Sequence, residues 1–305
     1  MFKRILLAAI LFIDLFPLFA QQPPARTNPP KHRLRISLLS GYQHEDFRWS
    51  IAGNTNGMDP NIYSELIWKQ LSGPVAGGEL EWDCWKKFRL RSSFSRLFVS
   101  SGKVTDMDYQ GDDRTDRSYN GAFESNKGMS FSWRTTLEYS FGLSPHFSLI
   151  PFAGYTLHKQ SLFLLADVTS AGSSLRSTYA TTYSGATMGL RADIKCTKVF
   201  SLQPSLLYDL INYTGRADWN LIQSFRHPLS FEDMADGYNI EGALTLRYAL
   251  KEAWSLFLSG NYCHSATGKG TDWLYEANGQ NVPTQFNGAF RNYYKIGIGA
   301  SLSLF

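Results

Sequence analysis

The chain has 305 residues, of which 15% are aromatic and only 18% charged, and its formal net charge is +4. So small a basic excess excludes a charge-driven nucleic-acid binder. Beyond the N-terminus there is no apolar run of about 18 residues, which excludes spanning helices.

Residues 1–20 read as a signal peptide. Lys3 and Arg4 precede a broken apolar stretch over 5–19, and Ala20 is a small residue at the expected cleavage point. Residues 21–32 are a Pro-rich, flexible lead-in, and 33–305 form one domain. The three cysteines, Cys84, Cys196 and Cys263, fit no metal or redox spacing and cannot all pair within the chain.

From residue 33 onward the signal is strand-like throughout. Met129, Phe131, Trp133, Thr135, Leu137, Tyr139 and Phe141 alternate with Ser130, Ser132, Arg134, Thr136, Glu138 and Ser140. Tyr238, Ile240, Leu244, Leu246, Tyr248 and Leu250 alternate with Asn239, Glu241, Ala243, Thr245 and Arg247. One face is apolar and the other carries charge, as in a membrane barrel with lipid outside and a polar lumen. The runs exceed the ~5–6 residues usual in soluble sheets. Short connections near 84–87, 143–146, 197–200 and 251–253 alternate with long polar ones near 43–60, 101–126, 168–177, 216–236 and 268–288. This rhythm predicts an all-β fold: a ten-stranded antiparallel transmembrane β-barrel of outer-membrane type, with strands near 33–48, 62–84, 87–101, 127–142, 147–166, 178–196, 199–217, 237–250, 254–268 and 289–305. Trp68, Trp82, Trp133, Tyr139, Tyr248 and Trp254 are candidates for the interfacial girdles. The last strand ends on Phe305, which falls on the opposite phase from Ile296, Ile298, Leu302 and Leu304.

Residues 101–116 concentrate Asp106, Asp108, Asp112, Asp113 and Asp116 in a chain that is basic overall. Carboxylates crowded in this way repel one another, which raises the pKa of at least one and suits it to act as a base near neutral pH. The same pattern also fits a solvated acidic loop.

Several stretches resemble the omptin family, ten-stranded outer-membrane aspartyl-type endopeptidases. Residues Ser64, Leu66, Trp68 and Lys69 resemble the family's second-strand Ser-x-Leu-x-Trp-Lys, and Trp82-Asp83 resembles the Trp-Asp that closes that strand. Asp106-Met107-Asp108-Tyr109 resembles the Asp-x-Asp-Trp at the top of the third strand, and the order of turns and loops agrees. The resemblance implies a catalytic acid pair at Asp106 and Asp108. It matches Asp218 to the acid of a second, Asp-x-His pair, in which Asn220 stands where the family has His. An amide cannot take up a proton near neutral pH, so His227 is the nearest substitute. An Asp106–Asp218 pair sharing a proton is a further arrangement. Asp112 and Asp113 would extend an acidic substrate-binding rim for cationic peptides. The family also requires lipopolysaccharide. Here Tyr155 and Lys159 keep two positions of its binding pattern, with Leu157 in place of the Glu; an ordinary girdle Tyr and a snorkelling Lys read equally well. The implied protein is a monomer of the bacterial outer membrane, without metal or cofactor other than lipopolysaccharide as activator, and without nucleic acid.

Three functions follow as expectations: an omptin-like endopeptidase acting on cationic peptides, a non-catalytic structural or adhesive barrel of the same build, and a small channel. The channel ranks last, because Arg134, Glu138, Arg191, Asp193, Asp209, Glu241 and Arg247 would pair inside a narrow lumen and plug it.

Overall fold

The computed structural model describes residues 34–166, 172 and 174–304. The signal-peptide reading over 1–20, the lead-in at 21–32, the opening residue of the first expected strand, Phe305 and part of the 168–177 connection lie outside the described residues. The strands are β1 (Leu34–Ile51), β2 (Ser64–Trp85), β3 (Phe88–Phe98), β4 (Ser101–Gly111), β5 (Thr115–Glu124), β6 (Met129–Tyr139), β7 (Phe141–Ser144), β8 (Phe147–Ala166), β9 (Leu175–Lys195), β10 (Phe200–Asp218), β11 (Phe231–Ala249), β12 (Trp254–Thr267), β13 (Gly270–Tyr275) and β14 (Asn281–Leu304).

Ten of them, β1, β2, β3, β6, β8, β9, β10, β11, β12 and β14, close into an antiparallel ring. Closure is made by β1, which pairs β14 from Leu34↔Leu304 onward and β2 from Leu34↔Trp82 onward. With no free edge, the ladders satisfy the backbone groups that lipid cannot. In the ring's lower half the expected alternation holds. Leu38, Leu80, Leu137, Leu244 and Ile298 face outward and are exposed, while Ser37, Glu81, Glu138, Asp209 and Glu241 are buried inside.

The lumen of that half is an ion-pair lattice. Arg91 reaches Glu79 at 2.9 Å, Glu81 at 3.2 Å and Glu138 at 3.0 Å, and Arg191 reaches Glu138 at 2.7 Å. Arg134 bridges Asp209 at 3.1 Å and Glu241 at 3.2 Å. One layer higher, Glu45 accepts hydrogen bonds from Arg291 at 2.8 Å, Gln43 at 2.8 Å and Ser130 at 3.2 Å, and from Gln160. A void of only about 210 Å³ remains in this lattice.

The stretches expected as long loops are largely sheet. Residues 101–124 form the β4–β5 hairpin, β11 begins at Phe231, and β13 pairs with β14 from Tyr275↔Asn281 to Gly270↔Phe286. The barrel wall therefore continues beyond the membrane, with polar residues such as Asp46 and Arg48 outside. Its interior there is the hydrophobic core, built on Phe47, Trp49, Trp68, Tyr179, Tyr213, Phe231 and Phe286. Trp68 is 0% exposed and stacks on Tyr179 at 5.7 Å, so it belongs to this core and not to a girdle. Of the other girdle candidates, Trp82, Trp133, Tyr248 and Trp254 are exposed and Tyr139 is half-buried.

Candidate functional site

The β4–β5 hairpin carries the first acid pair. Asp106 and Asp108 are two residues apart on β4 and so share one face. On β2 they lie opposite Leu66 and Ser64, and on β5 opposite Gly121 and Tyr119. Gly121 makes room for its strand neighbours, because a Cβ there would lie 2.6 Å from the Tyr119 hydroxyl and 2.6 Å from the Phe123 ring. Burial and the Asp108 charge push the Asp106 carboxyl up to about 7. Burial also raises Asp108, against a hydrogen bond from Ser64 that lowers it.

The hairpin tip is clamped. Asp113 and Arg114 have φ of 55° and 65°, in the left-handed region, and close the turn. Arg114 grips Glu65 with Nε at 2.9 Å and a terminal nitrogen at 2.8 Å. Asn61 donates its backbone N–H to Asp112 at 2.7 Å and its amide to Asp113 at 2.9 Å. Asp112 and Asp113 thus hold the hairpin against the segment before β2.

Asp106 and Asp108 open into a cavity of about 730 Å³ at the outer end of the barrel. Its wall is otherwise mostly apolar and includes Trp49, Phe123, Leu164, Trp219, Phe225 and Leu274. The loop between β10 and β11 covers one side. Trp219 packs edge-on against Phe231 at 4.7 Å, and the Arg226 N–H donates to the Tyr275 carbonyl at 2.8 Å, which seats the loop on the β13 hairpin.

Asp218 and His227 meet at the root of this loop. Nδ1 of His227 donates to Asp218 at 2.5 Å, and Nε2 donates to the Ile222 carbonyl at 3.2 Å. Both ring nitrogens therefore face acceptors. That favours the imidazolium, and the His227 pKa is raised, chiefly by the Asp218 hydrogen bond. Held so, the ring has no lone pair with which to take a proton. Leu221, Ile222 and Phe225 of the same loop line the cavity, but Asp218 and His227 are not part of its wall. Asn220 is engaged elsewhere: its Oδ1 accepts from the Arg176 N–H at 2.9 Å and from Ser177 at 3.2 Å, and its Nδ2 donates to the Ser174 carbonyl at 3.2 Å.

The structure therefore forms two of the couples sought in the sequence, Asp106 with Asp108 and Asp218 with His227, and keeps the second out of the cavity. Tyr155 and Lys159 are exposed on the outer face of β8, with Trp133 6.2 Å from Tyr155. The reading of the sequence missed Asp272, which lines the cavity with Asp106 and Asp108. It lay in a stretch read as loop, so no alternation announced it.

In overall shape the chain is similar to the outer membrane protease OmpT from Escherichia coli, with 12% identity and a TM-score of 0.70, covering 92% of this chain and 99% of that one. It is more loosely similar to the translocator domain of the autotransporter NalP from Neisseria meningitidis, with 12% identity and a TM-score of 0.37 over 88% of each chain. The toluene transporter TodX from Pseudomonas putida matches with 9% identity and a TM-score of 0.32, over 91% of this chain and 92% of that one. No curated protein matches it in sequence. The protein is an outer-membrane β-barrel of omptin-like shape, and its location is the bacterial outer membrane. A family profile matches residues 37–304, nearly the whole barrel, and by it the chain belongs to the Pom family, Protochlamydia outer membrane protein.

Proposed function

We propose that this barrel binds cationic peptides at its outer rim, with Asp106 and Asp108 as an anionic side of an otherwise mostly apolar pocket. The observation that carries the reading is the opening of this acid pair into the 730 Å³ cavity. A pocket of that size with few polar groups suits a side chain with an apolar body and a charged end. Lipopolysaccharide contact through the outward Tyr155 and Lys159 belongs to the same proposal. The His227 imidazolium, tied to Asp218 and Ile222, favours binding without the His-dependent half of an omptin-type reaction.

Peptide hydrolysis is a second reading, favoured by the Asp106 carboxyl near pH 7, where a general base works best. In it, ionised Asp106 takes a proton from water as the water oxygen bonds to the peptide carbonyl carbon. The C–N bond then breaks, and the proton leaves on the departing amine.

One experiment tests both readings. The refolded barrel with lipopolysaccharide is mixed with a fluorogenic dibasic peptide, and tryptophan fluorescence and cleavage are followed together, with Asp106→Asn and Asp108→Asn beside the wild type. The expected result is saturable binding by the wild type that weakens at least about tenfold in the Asp106→Asn/Asp108→Asn double variant. Binding indifferent to both substitutions would overturn the first reading. Cleavage by the wild type that is lost in Asp106→Asn alone would establish the second.

A further inference from the structure

A second pair of acids stands on the other side of the barrel from β4. Asp233 of β11 and Asp272 of β13 face each other directly across their ladder, 0% and 2% exposed. Asp233 Oδ2 accepts the Tyr179 hydroxyl at 2.5 Å, and that hydroxyl lies 2.7 Å from the hydroxyl of Tyr213. Asp272 Oδ2 accepts from Thr284 at 3.0 Å. Gly215, opposite Asp233 on β10, makes room for this contact, since a Cβ there would lie 2.1 Å from the Tyr179 hydroxyl oxygen.

The second oxygen of each carboxyl, Oδ1, is also buried, and among the described residues no N–H or hydroxyl donates to it. Two buried carboxyls that face each other across a ladder are reconciled by one proton shared between them, and each acts on the other as a hydrogen-bond partner. The pair then carries a single negative charge. The other charged group acting on it, Glu232, is itself held by Arg216 at 2.6 Å and Tyr275 at 3.2 Å. Asp272 also lines the rim cavity, with Asp233 behind it.

We propose that the Asp233–Asp272 pair is a second cation subsite of the rim cavity, receiving one ammonium or guanidinium group on its Asp272 side. The proposal rests on the reading of this cavity as a cation-binding pocket but not on the role of Asp106. One positive charge meets the one negative charge of the proton-sharing pair, and the ligand's N–H groups donate to lone pairs of the Asp272 carboxyl that Thr284 and the shared proton leave open. Tyr179, Tyr213 and Thr284 hold the far oxygens, so the pair stays fixed as the ligand enters.

The test uses butylammonium chloride and the refolded full barrel, by isothermal titration calorimetry between pH 4.5 and 8.5. In an Asp106→Asn/Asp108→Asn background, binding persists. It weakens about tenfold from pH 7 to pH 5, because burial places the Asp272 carboxyl at about 6 and its protonation leaves the pair neutral. Adding Asp272→Asn abolishes this binding. Asp233→Asn instead keeps the charge on Asp272 and replaces the protonated Asp233 by an amide that still donates to it, so binding persists with its midpoint near 6; this arm decides the matter should Asp272→Asn fail to refold, because loss of binding in it would overturn the subsite. Loss of all binding in the Asp106→Asn/Asp108→Asn background, or binding indifferent to Asp272→Asn, would overturn the subsite. Wild-type binding that ignores Asp106→Asn/Asp108→Asn but disappears with Asp272→Asn would overturn the first reading and leave the subsite standing.

Discussion

The two halves of this barrel use one strand pattern with opposite chemistry. On β1 the inward residues are Ser37, Gln43 and Glu45 in the membrane half, then Phe47 and Trp49 in the outer half; the outward residues change from Ile36, Leu38 and Tyr42 to Asp46 and Arg48. On β10 the inward side changes from Asp209 to Ile211 and Tyr213, and on β8 from His158 and Gln160 to Leu162 and Leu164. No register slip accompanies the change on β10, where the ladder to β11 is regular from Phe200 to Ala217. The solvent outside is what differs. Lipid requires apolar side chains outside and leaves the lumen to paired charges, whereas water outside lets the same wall close over an apolar core. The rim cavity lies in the outer half, and its acids are accordingly set against apolar neighbours that raise their pKa.

The largest effect expected from breaking this contrast lies in the lumen of the membrane half. Arg91→Leu would remove the cation shared by Glu79, Glu81 and Glu138 while placing an apolar side chain where the outer half would accept one. Removing one partner of a buried charge cluster costs ~3–5 kcal/mol. The barrel should therefore unfold at clearly lower urea, or fail to refold into lipid vesicles. A variant as stable as wild type would mean that Arg35 and Arg89 beside Glu81, and Arg191 beside Glu138, hold the cluster without Arg91.

A smaller effect separates the two outer surfaces. Leu38 is 68% exposed on the lipid side of β1, and Met234 is 42% exposed on β11 above the membrane. An arginine facing the bilayer midplane costs ~2–4 kcal/mol, whereas a surface change in water stays within about ±0.5 kcal/mol. Leu38→Arg should lower stability in lipid vesicles by that larger amount, and Met234→Arg should leave it nearly unchanged. Equal losses would show that the wall at Met234 is also in contact with lipid.

The reversal also explains what was legible in the sequence. Long alternating runs with one apolar face gave the ring, its ten strands and their short turns, because lipid imposes that pattern over many residues. The same alternation above the membrane has polar residues outside, so 101–126 and 268–288 resemble loops by composition although they pair as hairpins. Trp68 looked like a girdle residue because its sequence does not show on which side of the reversal it lies. Asp106 and Asp108 could be found, since their spacing of two puts them on one strand face. The Asp218–His227 bond depends on a loop folding back over nine residues. The Asp233–Asp272 pairing depends on the register between two hairpins, which no local signal sets.

The subtlest expected effect is the pH dependence of the outer half. The folded-state pKa of Asp106 is raised to about 7 from an ordinary value of 3.8. Between those values the folded barrel holds a proton that the unfolded chain has released. The stability this contributes is fully present below about 4 and is lost as pH rises through about 7. Asn has the shape of the protonated acid at every pH, so Asp106→Asn should lose less stability than wild type between pH 5 and pH 8. His227 adds a loss of the same sign, because its raised pKa means that its contribution is complete below 6.5 and fades as pH rises past the folded-state value. That loss remains in Asp106→Asn, and the difference between the two proteins therefore isolates the carboxyl. Urea midpoints at the two pH values measure it. If wild type and Asp106→Asn fall in parallel, Asp106 is already ionised at pH 5, and the apolar wall of the cavity does not exclude water from it.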